Sequence, residues 1–286
     1  MKYSELLTNL KFLRKGYDVK VIGKTKFDRK IIAVERILDN SFSTAIFVAG
    51  VHARENIATD MLFEMIQSGM FDNIKSFNLS FILMANPDGV AIESGELDSF
   101  PKEHRDWLEN INGSSDFSMW KANAFGVDIN NNFDARFNTN VHALSPASQG
   151  FPGQRAMSEN ETIAIANYTR QRNAFFTISY HTKGEEIYYN FFQSGKRLIR
   201  DKIIAERFQK STGYKIVNVE RGSSGGYKDW CVQKLKIPAL TIELGSDDWS
   251  HPIGREHLAE IFERNKTIAS DAEFAYNVFG RNRDEL

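Results

Sequence analysis

The chain is expected to fold as one α/β domain, residues 1–286, with a sheet of buried strands flanked by helices, on three observations. Six compact apolar runs, at residues 19–22, 31–37, 44–51, 79–85, 175–180 and 239–244, are rich in β-branched and aromatic side chains and mostly lack alternation. That is the pattern of strands covered on both faces. Helical stripes lie between and after these runs, and strands alternating with helices specify a sheet with helical cover. Finally, 286 residues without a repeat, linker or low-complexity segment suffice for a single large core.

Each helix has its own signal. Residues 55–68 carry a broad apolar stripe of Ile57, Met61, Leu62, Phe63, Met65 and Ile66. Residues 159–172 open with Ser158-Glu159-Asn160-Glu161, a capping-box arrangement. From Gly254 onward, Leu258, Ile261, Phe262, Ile268, Ala269 and Ala272 recur at helical spacing and predict one long covering helix. Residues 91–152 are polar and interspersed with Gly, Asn, Ser and Pro, which predicts long loops with short helical pieces. Loops of that length in a compact domain usually serve function.

Composition removes several classes of activity. With 36 basic against 37 acidic residues, no charge excess draws the chain to nucleic acid or an anionic membrane. The single cysteine, Cys231, excludes an internal disulfide framework and a multi-thiolate metal site. The first residues lack the apolar core and small-residue cleavage site of a signal peptide, and no run approaches 18 apolar residues. A cytoplasmic location is therefore expected, and the oligomeric state is not written in the sequence.

Chemistry concentrates where strands end. The run Phe47-Val48-Ala49-Gly50-Val51 gives way to His52-Ala53-Arg54-Glu55 at a strand-to-helix junction. An imidazole and a carboxylate three residues apart can reach one cation at about 2.0–2.2 Å, which is zinc-ligand chemistry. Alone the pair is weak; a histidine also ends a later strand (His181), and a carboxylate another (Glu243). Two nitrogens and one carboxylate leave a tetrahedral zinc one open position for water, the catalytic arrangement. Glu243 interrupts an apolar strand, where burying a charge is costly unless it is paired or working. Beside an activated water it can act as general base, then as general acid.

Six motifs in order, His52-x-x-Glu55, Asn86-Pro87-Asp88-Gly89, Gly126-Val127-Asp128-Ile129-Asn130, His181, Ser224-Gly225-Gly226-x-x-Asp229-Trp230 and Thr241-Ile242-Glu243, resemble the zinc metallocarboxypeptidases related to carboxypeptidase A. The resemblance implies a mixed, largely eight-stranded twisted sheet between helices, and hydrolysis of an amide bond by a zinc-activated water. It also implies one zinc per chain on His52, Glu55 and His181, with Glu243 as base and acid. Departures narrow the substrate. Asn131 stands where the family carries an arginine that clamps a free α-carboxylate, and it cannot make that charged bidentate contact. Counting back from Glu243, the family's substrate-covering tyrosine falls at Arg221 and the pocket-tuning position at Lys228. With Arg136, these are expected to bind carboxylates on the leaving-group side, beside Asn130 and Asn131.

The stretches Trp120-Lys121-Ala122-Asn123 and Ser179-Tyr180-His181-Thr182-Lys183-Gly184-Glu185-Glu186-Ile187-Tyr188-Tyr189 look like the bacterial branch that cuts between γ-D-glutamate and meso-diaminopimelate in peptidoglycan peptides. That likeness implies a small murein peptide as substrate. Phe125 stands where the branch often has an arginine, so Lys121 is by position the candidate oxyanion donor. The alternatives are a carboxypeptidase preferring acidic C-terminal residues, a deacylase of N-acyl amino acids, and a catalytically silent zinc or peptide-binding protein. Asn86, Asp88 and Gly89 read as a turn, with Asp88 also a candidate to orient a zinc histidine. Gly225 and Gly226 read as loop residues with unusual backbone angles. His104, His142, His251 and His257 belong to no motif and read as surface or loop residues. Cys231 reads as a small buried hydrophobe.

Overall fold

The computed structural model describes residues 1–139, 142–217 and 225–280. Eight strands form one mixed sheet: β1 (Asp18–Lys24), β2 (Lys30–Arg36), β3 (Thr44–Val48), β4 (Asn78–Ile82), β5 (Ala174–Thr182), β6 (Glu186–Tyr188), β7 (Lys215–Ile216) and β8 (Ala239–Leu244), in the order β1-β2-β4-β3-β5-β8-β6-β7. The centre, β4-β3-β5-β8, is parallel, and β2 and β6 flank it antiparallel. Every residue of β3, β4 and β5 is buried, as uninterrupted apolar runs require. Phe47, Phe71 and Phe81 meet at ring-centroid distances of 4.8–5.7 Å and anchor that core.

The helices are α1 (Tyr3–Asn9), α2 (Ile57–Gln67), α3 (Pro87–Glu93), α4 (Lys102–Asn112), α5 (Asn160–Gln171), α6 (Gly195–Thr212), the single turn α7 (Tyr227–Trp230), α8 (Leu258–Asn265) and α9 (Ile268–Ala275). The apolar runs after β3 and β4 outlast the ladder: Ala49 donates to the Ile82 carbonyl, Ala85 to Ala49 and Asn86 to Gly50, each at 2.9 Å. The two chain segments thus leave the sheet together, and this shared exit places the first motif beside Asn86.

Four expectations change. The long C-terminal helix is two helices, α8 and α9, broken at Lys266 and Thr267, because the apolar stripe continues across the break and hides it. The capping box before α5 does not form; Glu159 is the N-cap, and Ser158 Oγ donates to its carboxylate at 2.7 Å. Asn86-Pro87-Asp88-Gly89 is the start of α3, with Asn86 Oδ1 accepting the Gly89 N–H at 3.0 Å and Pro87 in the first turn. Of the paired glycines, only Gly225 takes a positive φ, +75°, where a Cβ would meet the Asn131 carbonyl at 2.4 Å. Gly226 is extended. Among the described residues no helix is long and apolar enough to cross a membrane.

Candidate active site

The parallel strands β3, β5 and β8 end on one side of the sheet, where open α/β sheets place their sites. His52 and Glu55 occupy the turn between β3 and α2, and His181 is the penultimate residue of β5. All three are buried. His52 Nδ1 lies 2.9 Å from Glu55 Oε1 and 3.0 Å from His181 Nδ1, and His181 Nδ1 lies 3.0 Å from Glu55 Oε2. Two ring nitrogens and two carboxylate oxygens facing one another so closely fit a cation bound among them. Two nitrogens and a carboxylate are the donor set of a catalytic zinc.

The outer nitrogens are also held. His52 Nε2 meets Asp128 Oδ1 at 3.2 Å, and His181 Nε2 meets the Ser179 hydroxyl at 2.9 Å. Such partners fix the tautomer and aim the inner nitrogen at the metal. Asp128 is itself pinned by the N–H groups of Gly150 and Asn130, each at 3.2 Å. Asp88, the sequence candidate for this orienting role, instead pairs with Arg29 at 2.8 Å.

Electrostatics follow from burial and crowding. Burial opposes charge on His52, but Glu55 and Asp128 outweigh it and raise its pKa to about 9. Burial lowers the pKa of His181. Burial alone would raise Glu55, yet His52 and His181 hold it well below the usual carboxylate range. On β8, Glu243 pairs in register with His181, so the sheet sets the carboxylate beside the ligand. Burial, then the Glu55 charge, pushes Glu243 up to about 8. A carboxyl raised toward neutrality is suited to exchanging a proton at working pH.

Lys121 Nζ stands 3.8 Å from Glu55 Oε1, with its side chain 20% exposed. Its carbonyl accepts the Ala53 N–H at 3.1 Å, and its N–H donates to the Ser148 carbonyl at 3.0 Å. Asn86 Nδ2 adds bonds to the carbonyls of Val51, Lys121 and Ala122 at 3.3, 3.4 and 3.0 Å. One amide thereby ties the metal turn to the Lys121 segment. Gly89 lets them approach, since a Cβ there would lie 2.4 Å from the Ala122 carbonyl.

A pocket of about 500 Å³ opens beside the metal cluster, lined by His52, Lys121, Asp128, Asn130, Asn131, His142, Gln149 and Gly150. The structure therefore brings together His52, Glu55, His181, Glu243, Lys121, Asn130 and Asn131. The other expected contacts lie elsewhere. Arg136 is exposed, its guanidinium 4.2 Å over the Phe192 ring. Lys228 is buried in α7, with its ammonium on Asp229 Oδ1 at 2.5 Å and the Asn190 carbonyl at 3.0 Å. Arg221 lies outside the described residues. Asp128, His142 and Gln149 belong to the site although sequence reasoning gave them no role. Asp128 stood inside a quoted motif, whereas no pattern marks the other two. His251, read as a surface or loop residue, is half-buried with Nδ1 3.5 Å from Thr182 Oγ1, and burial lowers its pKa to about 4.

The family model for zinc carboxypeptidases matches residues 16–267. The chain belongs to that family. It is a zinc metallopeptidase, and His52, Glu55 and His181 form the grouping able to hold the ion. Among curated relatives, γ-D-glutamyl-L-diamino acid endopeptidase 1 of Lysinibacillus sphaericus is 27% identical over 271 residues, spanning 88% of this chain and 67% of the relative. Bovine thrombin-activatable fibrinolysis inhibitor has the same fold, with a TM-score of 0.77 and 16% identity over 98% of both chains. The murein-tripeptide amidase MpaA of Escherichia coli O157 matches with a TM-score of 0.56 and 18% identity over 92% of both chains. At such identities the two structures establish the fold alone.

Proposed function

We propose that this zinc peptidase hydrolyses the amide bond between γ-D-glutamate and meso-diaminopimelate in small peptidoglycan-derived peptides. The observation that carries the reading is the composition of the pocket wall beside the metal cluster: among the described residues Asn130, Asn131, His142 and Gln149 line it and no guanidinium does, a departure from the arginine expected of a carboxypeptidase. The endopeptidase among the curated relatives, named for a γ-D-glutamyl-diamino acid bond, supports the same substrate class.

His52, Glu55 and His181 would hold the zinc, which when bound would supply Lewis acidity to the attacking water and the scissile carbonyl. Glu243 takes a proton from the attacking water as its oxygen bonds to the scissile carbonyl carbon. Lys121 offers its ammonium to the negative charge that develops on the carbonyl oxygen. Glu243 then delivers the proton to the departing nitrogen as the carbon–nitrogen bond breaks, which regenerates its carboxylate. Asp128 and Ser179 hold the two imidazoles in place throughout. The carboxypeptidase alternative gains nothing from Lys228, whose charge is already matched by Asp229.

The test is mass spectrometry of L-Ala-γ-D-Glu-meso-diaminopimelate incubated with zinc-loaded protein and with Glu243→Gln. Free diaminopimelate is expected from the native protein, with the variant slowed about 10²–10⁴-fold while keeping its zinc. An intact peptide in the presence of one bound zinc would discard the murein assignment. Cleavage of plain L-peptides with acidic C-termini would then favour the carboxypeptidase reading.

A further inference from the structure

The groups lining the pocket divide sharply by how they are engaged. Asp128 is spent on His52 and two backbone N–H groups, and Asn130 Oδ1 accepts the Tyr227 N–H at 3.2 Å. Lys121, Asn131, His142 and Gln149 have side chains that make no hydrogen bond among the described residues, and Lys121 Nζ lies 3.8 Å from Glu55 Oε1. Each of these four can donate, and none is restricted to accepting. A ligand meeting them is therefore rich in acceptors, and a carboxylate satisfies several at once.

His142 stands out because the backbone around it is shaped to admit it. Gly150 takes φ +78°, and a Cβ there would lie 2.9 Å from His142 Cβ. The same Gly150 donates its N–H to Asp128 Oδ2 at 3.2 Å and its carbonyl accepts the Ala143 N–H at 3.3 Å. A glycine at this point lets the His142 segment close onto the residue that steadies the metal ligand His52. Ser148, two residues earlier, holds the backbone of Lys121 and Ala122 at 3.0 and 2.9 Å. The segment bearing His142 is thus fastened to Lys121 through Ser148 and to Asp128 through Gly150.

We infer that His142 is a specificity-determining residue that binds a carboxylate of the amine-side fragment, acting with the Asn131 amide and with Gln149 beside it. The imidazole supplies an N–H in either protonation state, so it can serve at neutral pH. The inference rests on the proposed amide-hydrolase reading for its substrate, but it concerns the carboxylate and not the diamino acid as such.

The experiment compares wild type, His142→Ala and His142→Asn on two substrate pairs. One is the murein tripeptide with its diaminopimelate carboxyl adjacent to the cut free or amidated. The other is an N-benzoyl dipeptide with its terminal carboxyl free or amidated. For the free acids His142→Ala is expected to raise KM about tenfold with kcat within about twofold, His142→Asn to recover part of the loss, and zinc content and Tm to stay at wild-type values. The amidated forms are expected to lose this dependence. Wild type that cuts only the dipeptide, still with a His142-dependent KM, would sink the murein reading and keep the inference. Cleavage of either free acid with KM unchanged in His142→Ala overturns the inference, as does the absence of cleavage of all four compounds.

Discussion

The two sides of the cleft are built on opposite principles. The metal side is the end of a parallel sheet: His181 and Glu243 are neighbours in register on β5 and β8, and His52 and Glu55 follow β3 by a few residues. The substrate side, residues 121–139 and 142–150, is loop apart from a short 3-10 turn at Ile129–Asn131, and bonds involving Asn86, Ser148 and Gly150 are among those that hold its shape. Strand hydrogen bonds fix the first to a lattice of alternating positions, whereas the second depends on a few residues far apart in sequence. Chemistry is therefore anchored in the sheet, and substrate choice is left to the part of the cleft that is easiest to rebuild.

Lys121 stands on the boundary, and its removal is the sharpest way to ask which side it serves. Lys121→Ala is expected to lower kcat by about 10²–10³ with little change in KM, as for the loss of an oxyanion donor. Steady-state kinetics on the murein tripeptide decide it. A raised KM with unchanged kcat would move Lys121 to the substrate side.

A smaller effect is expected at Asp128, which belongs to the loop but holds a metal ligand. Asp128→Ala should weaken zinc binding about 10–100-fold, read by competition with a chromophoric chelator. Unchanged affinity would show that the metal side needs no help from the loop.

The smallest effect concerns stability. Glu161, on α5, is buried, and burial pushes its pKa up to about 8 from the ordinary 4.5. Between those values the folded chain holds a proton that the unfolded chain has lost. Stability from this group is thus complete below pH 4.5, falls as pH rises, and levels off above about 8. The slope is about 1.4 kcal/mol per pH unit at most. Thermal melts of Glu161→Gln should lose that part of the decline between pH 5 and 8. Parallel melting curves for the two proteins would refute the assignment.

What the sequence disclosed follows the same division. Six strand runs and the residues at their ends were legible because apolar runs leave a compositional mark, and because His52, Glu55, His181 and Glu243 interrupt it. β1 departs from the expected cover on both faces, since it is an edge strand with Val19 and Val21 exposed. β6 and β7, of three and two residues, are too short to leave a mark. No element was assigned over α6, where Ile204 and Phe208 are buried but Ile199 and Ile203 are exposed, so no single stripe announces it. Asn86-Pro87 misled because residues that make turns also start helices. Arg136 and Lys228 were placed near substrate by charge and counting, which cannot foresee a ring or a carboxylate already in contact with them. His142 was invisible for the converse reason: it becomes informative only once Gly150, whose N–H holds Asp128, is seen packed against it.

The pairing of His181 with Glu243 has an evolutionary reading. Side chains on neighbouring strands alternate between faces, so a one-residue slip of β8 against β5 would swing Ile242 or Leu244 into the position of the base. Insertions and deletions in these strands are therefore barred even where the fold would survive them. Residues 142–147 stand in no strand register and face no such bar. Diversification of this scaffold is then expected to run through that loop, with the bond-breaking apparatus inherited unaltered.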